Sequence, residues 1–252
     1  MKRILILFLA LIGIFASYVV AQDLSDIELL TALDDARFFD EAVTKLSIRI
    51  LSETPDETRE AGLMLSFYDT EDGSYARIEF ATPEELAGQI FLSTPDATYF
   101  YGLDLDFPIK TSATTQVFGD AAVAQTSGIR FSDSYTIEER RIVMTEDGIE
   151  VWELDLVAVD FTVAFQAVTV TVDPIELLPI SAILYAVSGL PFYEVFYETY
   201  ETQEDDVYVT TQRIVNQLLL GRVTTSEILE IGTEPLSPAL FDPASLGKNE
   251  DS

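Results

Sequence analysis

The chain has 252 residues, 14 Lys and Arg against 44 Asp and Glu, and a formal net charge of −30, with no His and no Cys. Such a chain repels nucleic acid, whose phosphates need clustered Lys and Arg. The missing residue types exclude disulfides, thiol nucleophiles, iron–sulfur ligation, Ser-His-Asp triads and the usual zinc sites.

Lys2 and Arg3 precede a nearly unbroken apolar run from Ile4 to Ala16, and Val19, Val20 and Ala21 close it with small residues. This is the charge, apolar and cleavage order of a secretory signal peptide over residues 1–21. The run is short for a membrane span, which needs about 20 apolar residues. An uncleaved N-terminal anchor, extended through Tyr18 to Val20, is the alternative. No Cys follows the run, so lipid attachment through a bacterial lipobox is not available. Cleavage would leave a soluble, exported, periplasmic chain beginning near Gln22. It removes two basic residues and no acid, so the charge would move from −30 to −32. The remainder, residues 22–247, is expected to be a single domain. Its acidity serves solubility or a basic docking partner.

Ser25 and Glu28 form a capping-box pattern that opens a helix. Ile27, Leu30, Leu33 and Ala36 fall on one of its faces, and it is expected to run to about Phe39. The period then changes to two. Leu46, Ile48 and Ile50 alternate with Lys45, Ser47 and Arg49, and Leu63, Leu65 and Phe67 alternate next. Asp72 and Gly73 mark a hairpin turn, after which Ala76, Ile78 and Phe80 share a face. Short strands are expected at 90–93 and 98–101.

The stretch from Asp104 to Ser134 holds Pro108, Gly119 and Gly128 with many Ser, Thr and Ala. A short helix is expected near 120–125. So long an irregular segment in a compact domain suits a lid or a binding loop. Strands resume at 135–145, 151–159, 165–172, 180–187, 192–200, 207–219 and 222–231, with Trp152, Leu154 and Leu156 on one face. Short links predict antiparallel neighbours. The expectation is a mainly β fold: a meander of ten or eleven strands that must curl, covered by one or two helices. Residues 248–252 read as a disordered polar tail.

A curled sheet puts its bulky apolar residues on the concave side, and two helices cannot easily fill a half-barrel. Phe and Tyr supply 27 residues, enough either to plug the interior or to line a ligand cavity. Both outcomes stay open on the pattern alone. The groove candidates are Leu63, Leu65, Phe67, Ile78, Phe80, Phe91, Tyr99, Tyr101, Trp152, Leu154 and Leu156, with Ile27, Leu30 and Leu33 on a lid helix.

The block from Phe80 through Pro83 and Gly88 to Phe91 and Leu92 resembles a segment of the outer membrane lipoprotein-sorting proteins of the LolA/LolB-like superfamily. Asp173 with Leu178, Pro179, Ser188 and Gly189 is similar to a late hairpin of that family, and residues 236–246 to its C-terminal ending. The opening helix and first strand are similar too. The resemblance implies a half-barrel of antiparallel strands closed by helices. It implies a carrier of acylated lipoproteins or another lipid, loaded by an inner-membrane transporter, acting as a monomer without cofactor or metal. It also implies an early-strand Arg that holds the lid; Arg49 lies on such a strand, although its alternation points it away from Leu46 and Ile48.

Other constellations are weak. The Asp69 to Gly73 stretch departs from calcium-loop spacing. Glu84-Glu85, Glu138-Glu139 and Asp205-Asp206 are adjacent, so on a strand their carboxylates diverge. Lys110, Thr111 and Ser112 lack the setting of a Ser-Lys dyad. The expectations are therefore a non-enzymatic lipid carrier or sensor, next a structural or partner-binding β-domain accessory to an envelope transporter, and last a carboxylate-based enzyme.

Overall fold

The computed structural model describes residues 24–38, 43–122, 129–203 and 206–246. The expected signal peptide and the C-terminal tail lie outside the described residues.

Helix α1 (Asp26–Asp35) opens as its sequence dictates: the Ser25 side chain accepts from the Glu28 N–H, and the Glu28 carboxylate accepts from the Ser25 N–H at 2.9 Å. These bonds to Ser25 also hold the Glu28 carboxyl below its ordinary pKa. The helix is shorter than expected. After Asp35 the N–H groups of Arg37 and Phe38 both turn back to the Asp34 carbonyl, at 2.8 Å each, and stop the helical ladder. Phe39 lies outside the described residues. The face is also rotated: Leu29, Leu30, Leu33 and Asp34 are buried, whereas Ile27 is 56% exposed.

Fifteen strands follow among the described residues, more than the ten or eleven expected. They are β1 (Lys45–Glu53), β2 (Thr58–Thr70), β3 (Gly73–Thr82), β4 (Ile90–Ser93), β5 (Thr98–Tyr101), β6 (Ile109–Thr111), β7 (Gln116–Phe118) and β8 (Ala121–Ala122). After the short helix α2 (Phe131–Ser134) come β9 (Tyr135–Met144), β10 (Glu150–Ala158), β11 (Ala167–Val172), β12 (Pro179–Tyr185), β13 (Pro191–Gln203), β14 (Asp206–Asn216) and β15 (Val223–Gly232). Three of them, β6, β7 and β8, match no segment expected from the sequence; each has two or three residues, too short to show a period. Of the helix expected near 120–125, the described part is not helical: Asp120 forms a turn and Ala121–Ala122 a strand, and 123–128 lie outside the described residues.

Thirteen strands make one antiparallel sheet in the order β6-β5-β4-β3-β2-β1-β15-β14-β13-β12-β11-β10-β9. It is two meanders zipped together through β1 and β15, with Lys45 opposite Gly232 and Glu53 opposite Val223. The register slips at 47/48, 62/63, 155/156 and around 197–200. Such bulges add twist, so the sheet curls without closing; β6 and β9 remain its edges.

The alternating apolar residues of both meanders form one core: Leu46, Ile48, Ile50, Leu63, Leu65, Ile78 and Phe80 from one side, Trp152, Leu154, Leu156, Val170 and Ile214 from the other. Leu29, Leu30 and Leu33 of α1, Phe118 of β7 and Phe131 of α2 join it from above. The opposite face of β4 and β5 carries a second cluster. Ile90 and Leu92 pack there with Tyr99, Tyr101, Phe241 and Leu246, the last two in the 3-10 turns Pro238–Phe241 and Pro243–Ser245 and the residue after them.

A cleft under the helical cover

β7, β8 and α2, with α1, pack over the concave face and leave part of it hollow. A cleft of about 410 Å³ lies between the sheet and the cover, within the range of ligand sites. Its buried wall is mostly apolar, with Leu46 and Ile48 of β1, Leu65 of β2, Ala76 of β3 and Val209 of β14, joined by Tyr197 of β13 and Thr210 of β14. Phe67 and Ile228 are half-buried in the same wall. Asp69, Ser74, Asp133 and Thr162, all exposed, stand on its rim.

Asp34 holds the cover together. Its carboxylate is 1% exposed and accepts from the N–H groups of Phe131 and Ser132 at 2.8 Å each, and from Ser132 Oγ at 2.7 Å. It thereby caps α2 from outside, since Arg130 at the cap position supplies no side-chain bond. Arg37 completes the joint: Nη1 meets Asp34 Oδ1 at 3.1 Å, Nη2 donates to the Ile129 carbonyl at 3.0 Å, and the guanidinium lies 3.8 Å from the Phe131 ring centroid. The Ala36 carbonyl accepts from the Val209 N–H at 3.0 Å, tying the end of α1 to β14. Burial pushes the Tyr197 hydroxyl above the ordinary phenol range, with the Arg37 guanidinium opposing.

A second hollow, about 470 Å³, lies under the β7–β8 hairpin and is lined by Phe80, Phe91, Phe100 and Phe118, with Arg59 and Arg222 among its polar residues. Asp120 pins that hairpin. Its N–H donates to Thr224 Oγ1 at 2.9 Å, and its carboxylate accepts from Asn216 Nδ2 at 2.8 Å and Arg222 Nε at 3.1 Å.

The groove candidates therefore divide. Leu65 and Phe67 line the cleft, and Phe80 and Phe91 line the second hollow. Leu63, Ile78, Trp152, Leu154 and Leu156 lie in the filled core with Leu30 and Leu33 of α1. Arg140 stacks 3.8 Å over Trp152, where burial lowers its pKa against the pull of Asp26. Tyr99 and Tyr101 are on the wrong face: they pair with Leu92 and Ile90 and join the second cluster, so Phe100, opposite Phe91, is the inward residue of β5. Arg49 is not a lid contact. It is half-exposed beside Glu227 at 2.5 Å, on the face away from α1. Arg37, at the end of α1, fastens the cover through Asp34 and the Ile129 carbonyl.

Asp34, Arg37, Phe118 and Asp120 escaped the sequence reading. One signal pointed to the first two: Asp34 lies four residues after Leu30 on the apolar face, with Arg37 three residues further on. Among the described residues no three carboxylates are grouped to hold a metal ion, and no helix is long and apolar enough to cross a membrane.

A family model described as "Uncharacterized protein" matches residues 72–248. No curated protein matches the chain. Solved structures that share the fold include the following three. A LolA superfamily protein from Nitrosomonas europaea is 18% identical, covering 87% of this chain and 98% of its own, with a TM-score of 0.77. A domain named for outer membrane lipoprotein sorting, from Vibrio parahaemolyticus, is 15% identical over 88% of this chain and 97% of its own, with a TM-score of 0.74. A DUF1329 family protein from Desulfovibrio piger is 16% identical over 92% and 98%, with a TM-score of 0.71. The curled antiparallel sheet and the resemblance drawn from the sequence are thus borne out at the level of fold.

Proposed function

The chain belongs to the family whose model covers residues 72–248 and has the LolA-superfamily fold, and from that premise we propose that it is an exported, soluble carrier or sensor of a lipidic ligand in the cell envelope. The observation that carries this reading is the cleft: an apolar wall of Leu46, Ile48, Leu65, Phe67 and Val209 that the cover leaves unfilled. An acyl chain gains about 0.8 kcal/mol per CH₂ on leaving water. A carrier must match most of that gain and still release its cargo. The cover is held by the Asp34 joint with Arg37 and Ser132, by the Val209 N–H to Ala36 carbonyl bond and by the packing of Leu29, Leu30 and Leu33, and an acyl chain that replaces part of that packing would leave the sheet intact. The proposed function is one of binding, in which no step calls for a nucleophile, a metal or a cofactor. An acylated lipoprotein or a free lipid would fill the same wall.

The test begins with the protein purified natively from the envelope, extracted and analysed by mass spectrometry, then titrated with an apolar fluorescent probe and lipid competitors. Co-purified lipid and a displaceable probe are expected. Ala76→Phe, which fills the cleft from β3, is expected to lower probe affinity at least about tenfold while the far-UV spectrum is kept. A parent with neither lipid nor displaceable probe would favour a structural or partner-binding β-domain.

A further inference from the structure

On the wing of the sheet formed by β9 to β15, the turns at the two rims differ sharply in character. One rim has the β9–β10 turn with Glu146 and Asp147, and the β11–β12 turn with Asp173 and Glu176. The opposite rim has the turns β10–β11 (159–166), β12–β13 (186–190) and β14–β15 (217–222). In a chain with 44 acids, these three turns contain one, Asp160, whose carboxylate accepts from the N–H and hydroxyl of Thr162.

The tips of those three turns are apolar and exposed. Phe161 is 89% exposed, Val187 94% and Leu220 87%, and Leu190, Leu218 and Leu219 are more than half exposed. The turns are neighbours: each belongs to a hairpin two strands from the next, a spacing of about 10 Å. The N–H of Gln217 donates to the Phe192 carbonyl at 2.9 Å, joining the second and third hairpins at their base. Large apolar side chains in such number on one rim mark an interaction site.

We propose that this rim docks on a lipid bilayer, inserting the tips of the three hairpins among the lipid headgroups. Two observations favour a bilayer over a protein partner. Phe161, Val187 and Leu220 stand almost fully exposed at three separate turns, an arrangement that a fluid surface can receive without a matching groove. The three turns also hold a single carboxylate, Asp160, while the acids nearest them, Asp56 and Glu57, sit on the adjoining β1–β2 turn, where Pro55 lies beside Gly221, so within this wing these tips are what an anionic leaflet repels least. The loop bearing Phe161 continues into Thr162, Val163 and Ala164, which line the cleft, so docking would bring the mouth of the cleft to the membrane.

Residues 22–252 contain every described element and omit the apolar leader, and this chain is the one to test. It is mixed with phosphatidylcholine vesicles and floated on a density gradient. The parent is expected to float with the vesicles, and less so on phosphatidylglycerol vesicles at low salt, with recovery as salt screens the repulsion. Replacing Phe161, Val187 and Leu220 together by Ser should reduce partitioning at least about tenfold. These side chains are nearly free of protein contact, so the circular dichroism spectrum should not change. In a second measurement Phe161→Trp reports insertion by a blue shift in emission on phosphatidylcholine, while the buried Trp152 does not respond. A parent that does not float, a triple Ser variant that floats equally well, or tips that instead support a concentration-dependent dimer in sedimentation would each overturn the proposal. The cargo reading is tested separately: a parent that floats but yields no extracted lipid keeps the rim and loses the carrier, and the reverse outcome keeps the carrier and loses the rim.

Discussion

Asp34 is a charge in a place that a helix normally gives to Leu. It is tolerated because every lone pair in reach is used: two backbone N–H groups, one hydroxyl and one guanidinium converge on it. Removing one partner of such a buried pair leaves the other uncompensated, which costs about 3–5 kcal/mol. Asp34→Ala should therefore lower the urea midpoint by that equivalent and loosen α1 and α2 first. Hydrogen exchange should show the amides of α1 rising in rate while those of β1 and β2 stay protected. A loss below about 1 kcal/mol, or uniform acceleration across the sheet, would remove Asp34 as the fastening of the cover. The residue was visible in the sequence as an acid in the apolar stripe, but three of its four donors lie about a hundred residues away, at 131 and 132. No local pattern carries that information.

At the scale of elements, the alternation of β1, β2, β3 and β10 was legible because each strand has one wet face and one dry face, and period two then fixes which residues point inward. It failed for β5. Thr98 to Tyr101 reads Thr, Tyr, Phe, Tyr, and both faces of this strand are covered, one by the core and the other by the C-terminal 3-10 turns. With aromatics on both sides, parity cannot be chosen from the strand itself. The β7–β8 hairpin was missed for a different reason: its position depends on one glycine. Gly119 has φ +58°, and a Cβ there would meet Thr224 Oγ1 at 2.5 Å and Ser52 Oγ at 2.6 Å. Both the backbone conformation and the close approach exclude a side chain. Gly119→Ala should cost about 1–3 kcal/mol and displace Phe118 from the core, read as a lower denaturation midpoint with an unchanged far-UV spectrum. Full stability in that variant would mean the hairpin is not seated on β1 and β15.

For the whole molecule, composition sets the pH profile. With no His and no Cys, no side chain has its ordinary pKa between about pH 5 and 8. On the acid side, hydrogen bonding from Arg141 holds the Asp155 carboxyl below its ordinary value, with Thr169 assisting. Its contribution is present above the unfolded carboxylate pKa, near 4, and is lost as pH falls through the lower folded value. On the alkaline side, burial pushes Tyr135, Tyr193, Tyr197 and Tyr200 upward. The Tyr135 hydroxyl donates to the Phe165 carbonyl at 2.9 Å and that of Tyr200 to the Pro179 carbonyl, bonds that only the protonated phenol can make. A phenol raised in the folded state contributes in full below its unfolded value, near pH 10, and that contribution is lost as pH rises through the folded value. Urea midpoints measured from pH 5 to pH 11 should thus be flat to about pH 9 and fall steeply beyond pH 10, since four phenols titrate in the unfolded chain before they do in the native one. Tyr135→Phe should start from a lower plateau, having lost its bond to Phe165, and descend less steeply above pH 10. A slope between pH 6 and 8, or equal alkaline limbs in parent and variant, would show that these buried phenols do not set the upper limit of the fold.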